Sequence, residues 1–590
     1  MDPTPPSDPI DTDSSRKGHH APYPAQRPSK RSDILDSGAT EDNLSVKAER
    51  VLVAGVIWWG LLWGCGPSEH TKKNNGDSDS VSEVHETVEA RTFTDPAIEH
   101  PPRWTGTQTG TDTATAAIRE VDPDIRLAYW LDITSDDPVT VAATWTDGDV
   151  GATLNRYLPA TEHSLLILGT RPDRLVTVDI TLTEADGATP EPLQLEFQTD
   201  TLPAGFPEFD VLSHDPAAVE PGHLMFPLYG AADNYLVILD EDLEVVWLHR
   251  GQWNDARVTE WGTLFGIRDQ DVYEMRLSGE IVRHFSTDPS TSGTHVDLPG
   301  TFHHEAYPTL LGHFITLTDN THRVDEYPIS YEEPTVLDGP ARIESAVVAV
   351  VGFDGTVESS FDLYHALDPL RIGYDSLDGA IQDWVHANAV IPHPDGGVIV
   401  SMRHQDAIVK FGVLGELKWI LGSRPGWRAP WSDYTLQPVG GDLVWPYHQH
   451  APQWLGVQGE TVASMLVFDN HDAGNTLYMG VRRSRVQSGV IEYIIDEEAM
   501  TVEMVERWID FGPESPITSD VYGDADHQAQ TGNILATFGR VQNEGYSADN
   551  LAPAARVIEF HPSDPAQPVL DIRTSRNWKM DRAERVPSIR

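Results

Sequence analysis

Six times after residue 205, a short apolar segment entered through glycine is followed by a hairpin of two apolar strands. The first parts are GHLMFPLYG (222–230), GTLFGIRD (262–269), GHFITLTD (312–319), GGVIVSMR (396–403), ETVASMLVFDN (460–470, after Gly459) and GNILATFGR (532–540). The hairpins occupy 235–249, 271–285, 346–361, 407–421, 489–508 and 555–572. A unit of roughly 60 residues built this way cannot bury its own apolar faces and must stack on copies of itself. With a connecting strand ahead of each, the unit is a four-stranded blade, and six of them predict a six-bladed β-propeller over 205–578, with 579–590 as a tail. Closure leaves only short edges, which suits a chain whose single cysteine, Cys65, allows no internal disulfide.

Ahead of this array, Val139–Trp145, His163–Gly169, Leu175–Thr183 and Leu193–Asp200 alternate with Pro, Asp and Gly turn signals. Residues 118–203 are therefore expected to form a small Ig- or fibronectin-like β-sandwich, and the fold class is all-β. Residues 66–117 are dominated by Ser, Thr, Asp, Glu and Gly and read as a disordered tether. Upstream, Lys47 and Arg50 precede an uncharged apolar run, Val51–Trp63, that ends in Leu62-Trp63-Gly64-Cys65. A basic n-region, a short h-region and a small-residue ending make an export signal over 46–65, too short to span a bilayer comfortably. Its ending resembles a bacterial lipoprotein box, with Cys65 lipidated as the new N-terminus. The expected location is the periplasm or cell surface of a bacterium, with a lipid anchor to the membrane. A single-pass anchor is the alternative. Residues 1–45 fit neither picture, and a downstream start at Val46 would leave them untranslated.

Charge narrows the partners. Lys plus Arg number 41 against 92 Asp plus Glu, a formal charge of −51. A field of that sign repels phosphate backbones and acidic lipid, so no nucleic-acid partner is expected. A homodimer is compatible with the sequence.

Histidine recurs at one place in the repeat: FHHE (302–305), DWVHAN (383–388), PYHQH (446–450) and DADHQ (524–528). His303 lies nine residues before Gly312, His386 ten before Gly396, His450 nine before Gly459 and His527 five before Gly532. Closing a ring gathers such positions near one axis, with Arg403 beside them. Two chemistries could use the cluster. Imidazoles could bind a transition metal, or with an arginine they could hold an anion and supply a nucleophile or acid–base group. Arg403 favours the second, because a guanidinium opposes a dication but grips an oxyanion through its planar fork. Carboxylates are few in these motifs, Glu305 and Asp383 being among the nearest. No cofactor or metal is expected. Strand alternation should turn His404 and His393 away from the channel. Trp384, Trp419, Trp427, Trp445 and Trp454 could form an aromatic mouth, although blade packing is the commoner role for tryptophan in this fold.

The runs DWVHANAV (383–390), SMRHQDAIVKF (401–411), LKWILGS (417–423), QHAPQWL (449–455) and LVFDN (466–470) resemble the bacterial arylsulfate sulfotransferases, in the same order, over about 205–575. The resemblance implies an enzyme moving a sulfuryl group from an aryl sulfate to a phenol by a ping-pong route, without a nucleotide donor. It implies His450 as the nucleophile that carries a sulfohistidine. His386 and Arg403 would bind the sulfuryl oxygens, and a further histidine would come from His303 or His304, the spacing favouring His303. His527, Asn388 and Tyr447 are the accompanying candidates for substrate contact. Two departures stand out: His471 follows F-D-N where glycine is expected, and His448 adds an imidazole beside His450. Rival readings are a metal-dependent propeller lyase or hydrolase and a catalytically silent binding propeller.

Overall fold

The computed structural model describes residues 108–590, apart from 378, 442, 458, 472–476, 480–486, 514 and 543–552. The leader, Cys65 and residues 66–107 of the tether lie outside these residues, whereas 108–117, read as tether, enter the first strands of the N-terminal sheet, Gln108–Gly110 and Ala114–Glu120. Among the described residues no helix is long and apolar enough to cross a membrane.

Six antiparallel sheets follow one another from residue 209 to the C-terminus. In the third, Phe302–Pro308, Phe314–Val324, Ala341–Val351 and Val357–Asp362 pair in order, and the fourth runs through Ala387–Pro392, Val398–Met402, Ala407–Phe411 and Leu417–Gly422. The fifth contains His450–Trp454, Val462–Asp469, Gly489–Asp496 and Thr501–Trp508. Their neighbours are a second sheet beginning at Trp253–Val258 and a sixth beginning at Asp524–His527. Strand faces are apolar on both sides, and each sheet shares a core with the next. Met225 and Leu236 of the first meet Trp253 and Leu264 of the second; Phe265 and Phe285 meet Phe302 and Phe314 of the third. Val348 meets Val400, Ile408 meets Ile491, and Phe468 meets Phe538. Finally Val557 and Ile572 of the sixth sheet pack on Leu224 and Val237 of the first, which closes the ring. This is a propeller held by apolar burial between blades.

The glycine-entered segment is not the innermost strand of its blade. In blades two to six it is the second strand, and the segment read as a connector is the inner one. Glycine there has the turn conformation that joins the two: Gly312, Gly396, Gly459 and Gly532 all hold positive φ. Trp384, Trp419 and Trp427 are buried in the shared cores, with the Trp384 and Trp419 indoles donating to Arg371 O and Glu497, so they pack blades and form no mouth.

Residues 579–590 are not a tail. Lys579–Met580 and Glu584–Val586 pair with His223–Tyr229 along the inner edge of the first blade. At the opposite end, Phe209–His214 pairs with Leu570–Thr574 at the outer edge of the sixth. Both latches of the ring are thus antiparallel pairings between segments far apart in the chain.

N-terminal to the propeller, Ala114–Glu120, Tyr129–Thr146, Gly151–Ile167, Leu175–Glu184 and Leu193–Gln198 form one hydrogen-bonded sheet. Pairing register slips between Thr134 and Val139 on the long central strand. There the sheet folds over, bringing Ala114–Glu120 against Leu193–Gln198 around Leu131, Val141, Trp145 and Phe197. Ile125–Arg126 leaves this layer to pair with Val245–Arg250 of the first blade. Beside it Arg171 donates to Asp240 at 2.8 Å and to Asp242 at 2.5 Å, and Arg590 also bonds Asp240.

A chain ending at residue 578 should lose Met580, Ala583 and Val586 from the cores and break the buried Arg582–Glu305 and Arg585–Glu559 pairs. Removing one member of a buried pair costs about 3–5 kcal/mol, so urea unfolding of this variant should shift by at least that much.

Candidate active site

β-Bulges recur at the same point of four inner strands. Register shifts fall between Trp253 and Asp255, His303 and Ala306, Ala387 and Ala389, and His450 and Gln453. A bulge inserts an unpaired residue and re-aims its side chain. The cost is visible in the backbone: His304, His386, His448 and Ala451 hold φ of 58°, 42°, 50° and 42°. Left-handed non-glycine residues cost on the order of 1–3 kcal/mol and persist where their surroundings over-determine them. His471 also lies there, at φ 52°, the conformation for which glycine was expected.

These turns aim imidazoles at one another. The His304 ring meets His386 edge-on at 5.1 Å, His386 stacks on His404 at 4.6 Å, and His404 lies 6.0 Å from His448. Of the two candidates on the third blade, His304 faces this cluster, and His303 turns outward toward Asp319. Spacing favoured His303, but the bulge places its neighbour inward. His404, expected to point away, is a member: the turn Arg403–Gln405 interrupts the alternation on which that expectation rested. His393 stays outside, beside Lys410 and Asp395.

His450 is buried at the head of Val462–Asp469's partner strand. Its Nδ1 lies 2.7 Å from Asn470 Oδ1 and 3.1 Å from the His448 carbonyl. The Asn470 amide donates to the carbonyls of Ser519 and Tyr522, both at 2.8 Å. That commits Oδ1 to accepting, so the His450 proton is on Nδ1 and the lone pair on Nε2. The same reasoning fixes His404. Arg403 Nη1 donates to its Nε2 at 2.7 Å, and its Nδ1 donates to Asp383 O at the same distance. Asp383 Oδ2 accepts from His386 Nδ1 at 2.5 Å. Arg403 Nη2 donates to the Asp520 carbonyl at 3.4 Å and lies 3.6 Å from Asp375 Oδ2, while its buried Nε has no hydrogen-bond partner among the described residues.

Burial disfavours protonation of these rings. It drives His450 down to about 3, with Arg403, His386 and Arg582 adding to the shift and the Asn470 bond opposing it. His404 falls to about 3 through burial, His386 and Arg403. Burial also holds His304 and His448 well below the usual value, the neighbouring histidines reinforcing it for His304 and Arg403 for His448. Burial pushes Asp383 upward, but His386, His404 and Arg403 outweigh it and hold this carboxyl below its usual range. His304, His404, His448 and His450 are thus held neutral beside a guanidinium, and among the described residues both nitrogens of His448 are without a hydrogen bond, while His450 keeps the lone pair of Nε2.

Other sequence candidates fall differently. Asn388 is buried in the bulge of the fourth blade, donating to Gln449 O at 2.7 Å, with its Oδ1 unpartnered among the described residues. Tyr447 is buried against His471, 5.2 Å between rings. His527 does not join the cluster. It ends the inner strand Asp524–His527, is exposed, and its backbone N–H donates to Oε1 of Gln453, three residues beyond His450 and roughly 10 Å further along. Its shorter spacing to glycine was the signal.

Among the described residues three groups bring possible metal-ligand atoms within 4.8 Å: Asp383, His386 and His404; His393, Asp395 and Glu497; Asp524, Asp526 and Glu584. In the first, both His404 nitrogens are committed. In the second, the Lys410 ammonium already sits 2.7 Å from Asp395 and 2.6 Å from Glu497. The third is all oxygen and could hold a hard cation. It adjoins a buried network that sequence reasoning missed. Arg257 and Arg582 each donate to Glu305 at 2.6 Å, and Arg582 also donates to Asn388 O at 3.4 Å. Asn470 was visible in the F-D-N run, but Arg582 carried no signal within an apparent tail.

Residues 211–579 match the family model for arylsulfotransferase (ASST). Arylsulfate sulfotransferase AssT of Escherichia coli O6:H1 is 28% identical over 325 residues, 48% of this chain and 52% of that relative. The chain thus spans about half the length of the curated relative it matches. Among solved structures, a Synechocystis apocarotenoid oxygenase aligns with 64% of this chain and 95% of its own at 8% identity and a TM-score of 0.31. Virginiamycin B lyase from Staphylococcus aureus aligns with 61% and 89% at 10% identity and a TM-score of 0.21.

A folded pKa of about 3 against an ordinary 6.5 means that the unfolded chain binds the extra His450 proton between those values. Stability is therefore lost as pH falls through that window. His450→Gln should make urea stability less steep between about pH 6 and about pH 4, by about 1.4 kcal/mol per pH unit.

Proposed function

Since the chain belongs to the arylsulfotransferase (ASST) family, we propose that it transfers a sulfuryl group from an aryl sulfate to a phenol through a sulfohistidine at His450. The observation that carries this is the fixed tautomer of His450, Nδ1–H on Asn470 and the lone pair on Nε2. In the first half-reaction Nε2 attacks sulfur, the N–S bond forms, the aryl O–S bond breaks and the phenolate takes a proton from a neighbouring imidazole as it leaves. In the second, the acceptor hydroxyl returns a proton to that imidazole as its oxygen attacks the same sulfur, the N–S bond breaks and His450 is regenerated.

Sulfuryl transfer resembles phosphoryl transfer in spreading charge over peripheral oxygens, so positioning and cationic donors supply most of the catalysis. Arg403 is suited to this because its Nε has no competing partner among the described residues and Nη2 is held only by a long bond of 3.4 Å to Asp520 O and by Asp375 at 3.6 Å. His386, tied to Asp383, is the second contact to the sulfuryl oxygens. The low pKa of His450 keeps its lone pair available across the neutral range. An arriving anion would offset the field of Arg403 that helps to depress it. Export as a lipoprotein through Cys65 completes the reading, and the mass of the mature N-terminus tests it.

The deciding experiment is incubation with p-nitrophenyl sulfate and phenol. Acceptor-dependent nitrophenol release should appear, with one sulfuryl group added to the peptide containing His450. His450→Asn should abolish both. Arg403→Lys should slow turnover by about 10²–10³-fold, as for loss of an oxyanion donor. His527→Ala is expected to leave the rate unchanged. Wild-type protein that releases phenol from no aryl sulfate would sink the proposal.

A further inference from the structure

On the sulfuryl-transfer reading, we infer that Asp319, His303 and His304 form a proton relay, giving a proton to the departing phenol and recovering it from the acceptor. His303 Nδ1 and His304 Nδ1 lie 2.8 Å apart, so one proton is shared and one of the two nitrogens accepts. On the far side of the same ring, His303 Nε2 stands 3.1 Å from Asp319 Oδ1, off the line of a hydrogen bond. Exposure rises along this line: the His303 side chain is 17% exposed and that of Asp319 is 37%. The three groups lead from the imidazole cluster toward solvent.

The need for them follows from His304. Its ring meets His386 and is kept neutral by burial and by His303, His386, His450 and Arg582. A neutral imidazole that gives up its only proton becomes an imidazolate, which a buried site does not support. His304 can therefore protonate a leaving phenolate only if a proton reaches its Nδ1 in the same step. His303 supplies it. The relay requires His303 to enter the step with protons on both nitrogens, Nδ1–H toward His304 and Nε2–H on the side of Asp319. As the aryl O–S bond breaks and N–S forms, the His304 Nε2 proton passes to the phenolate oxygen. The His303 Nδ1 proton moves to His304 Nδ1, leaving His303 neutral. In the second half-reaction the acceptor O–H gives its proton to His304 Nε2 and the Nδ1 proton returns to His303. The proton balance closes over the two steps.

Other charged groups face this pair. Glu344, on the strand paired with Phe314–Val324, interacts with Asp319, Asp383, His303 and His386. Asp383 is bound to His386, and Thr301 Oγ1 donates to Asp319 Oδ2 at 3.5 Å. Asp319 is the carboxylate that lies against His303 itself.

Leaving-group dependence tests the relay. Nitrophenols are acidic and leave without an acid, whereas phenol, with a pKa of about 10 by analogy with tyrosine, needs one. Phenol release in a single turnover would be measured across aryl sulfates spanning that range, for wild type, Asp319→Asn and His303→Gln. Both variants should slow phenyl sulfate by about 10²-fold or more, the usual scale of general-acid loss, and leave p-nitrophenyl sulfate within about twofold. Matching thermal unfolding would show that the fold is intact. Equal loss for every donor, or no loss for any, overturns the relay while sulfuryl transfer stands. Wild type that neither releases phenol nor labels His450 overturns both.

Discussion

Everything at the centre of this molecule depends on two antiparallel pairings that bind distant parts of the chain. Glu584–Val586 on His223–Tyr229 and Leu570–Thr574 on Phe209–His214 hold the first and sixth blades in contact. With those in place, six apolar interfaces close on one another and no disulfide is needed. The closing strand also brings Arg582 to Glu305 and to the carbonyl of Asn388, so it forms part of the floor beneath the imidazoles. Ring stability and the electrostatics of the site are not separable here.

The site works against ordinary protein chemistry in two ways. Several imidazoles are packed where each disfavours the charge of the next, and inner-strand bulges hold residues in left-handed conformations to achieve it. Both are costs that the surrounding blades sustain. The return is a nitrogen lone pair with a defined direction and a guanidinium whose Nε is unspent. A metal centre would need those same lone pairs, and for His404 they are already engaged by Arg403 and Asp383.

Much of this was legible in the sequence. The strand-and-hairpin alternation gave the blades, and the registered histidines gave His386 and His450. Periodicity could not say which strand of a blade lies inside, because both the glycine-entered strand and its predecessor are apolar and short. The bulge between His303 and Ala306 inserts two residues, His304 and Glu305, against a single step of the partner strand and re-aims them, and no pattern announced it. His404 was lost to the same cause, a tight turn where alternation was assumed. Residues 579–590 read as a tail because the partner of Arg582, Glu305, lies 277 positions away, and no local pattern ties Arg585 to Glu559, 26 positions back.

The order of synthesis adds a final consequence. Strand Glu584–Val586 is made long after its partner His223–Tyr229, with blades two to six between them. Until it emerges, the first blade must wait with its innermost edge bare, its amide and carbonyl groups open to any other extended segment. The floor beneath the imidazoles is therefore completed late, and whatever shields that edge in the meantime would govern the yield of competent molecules.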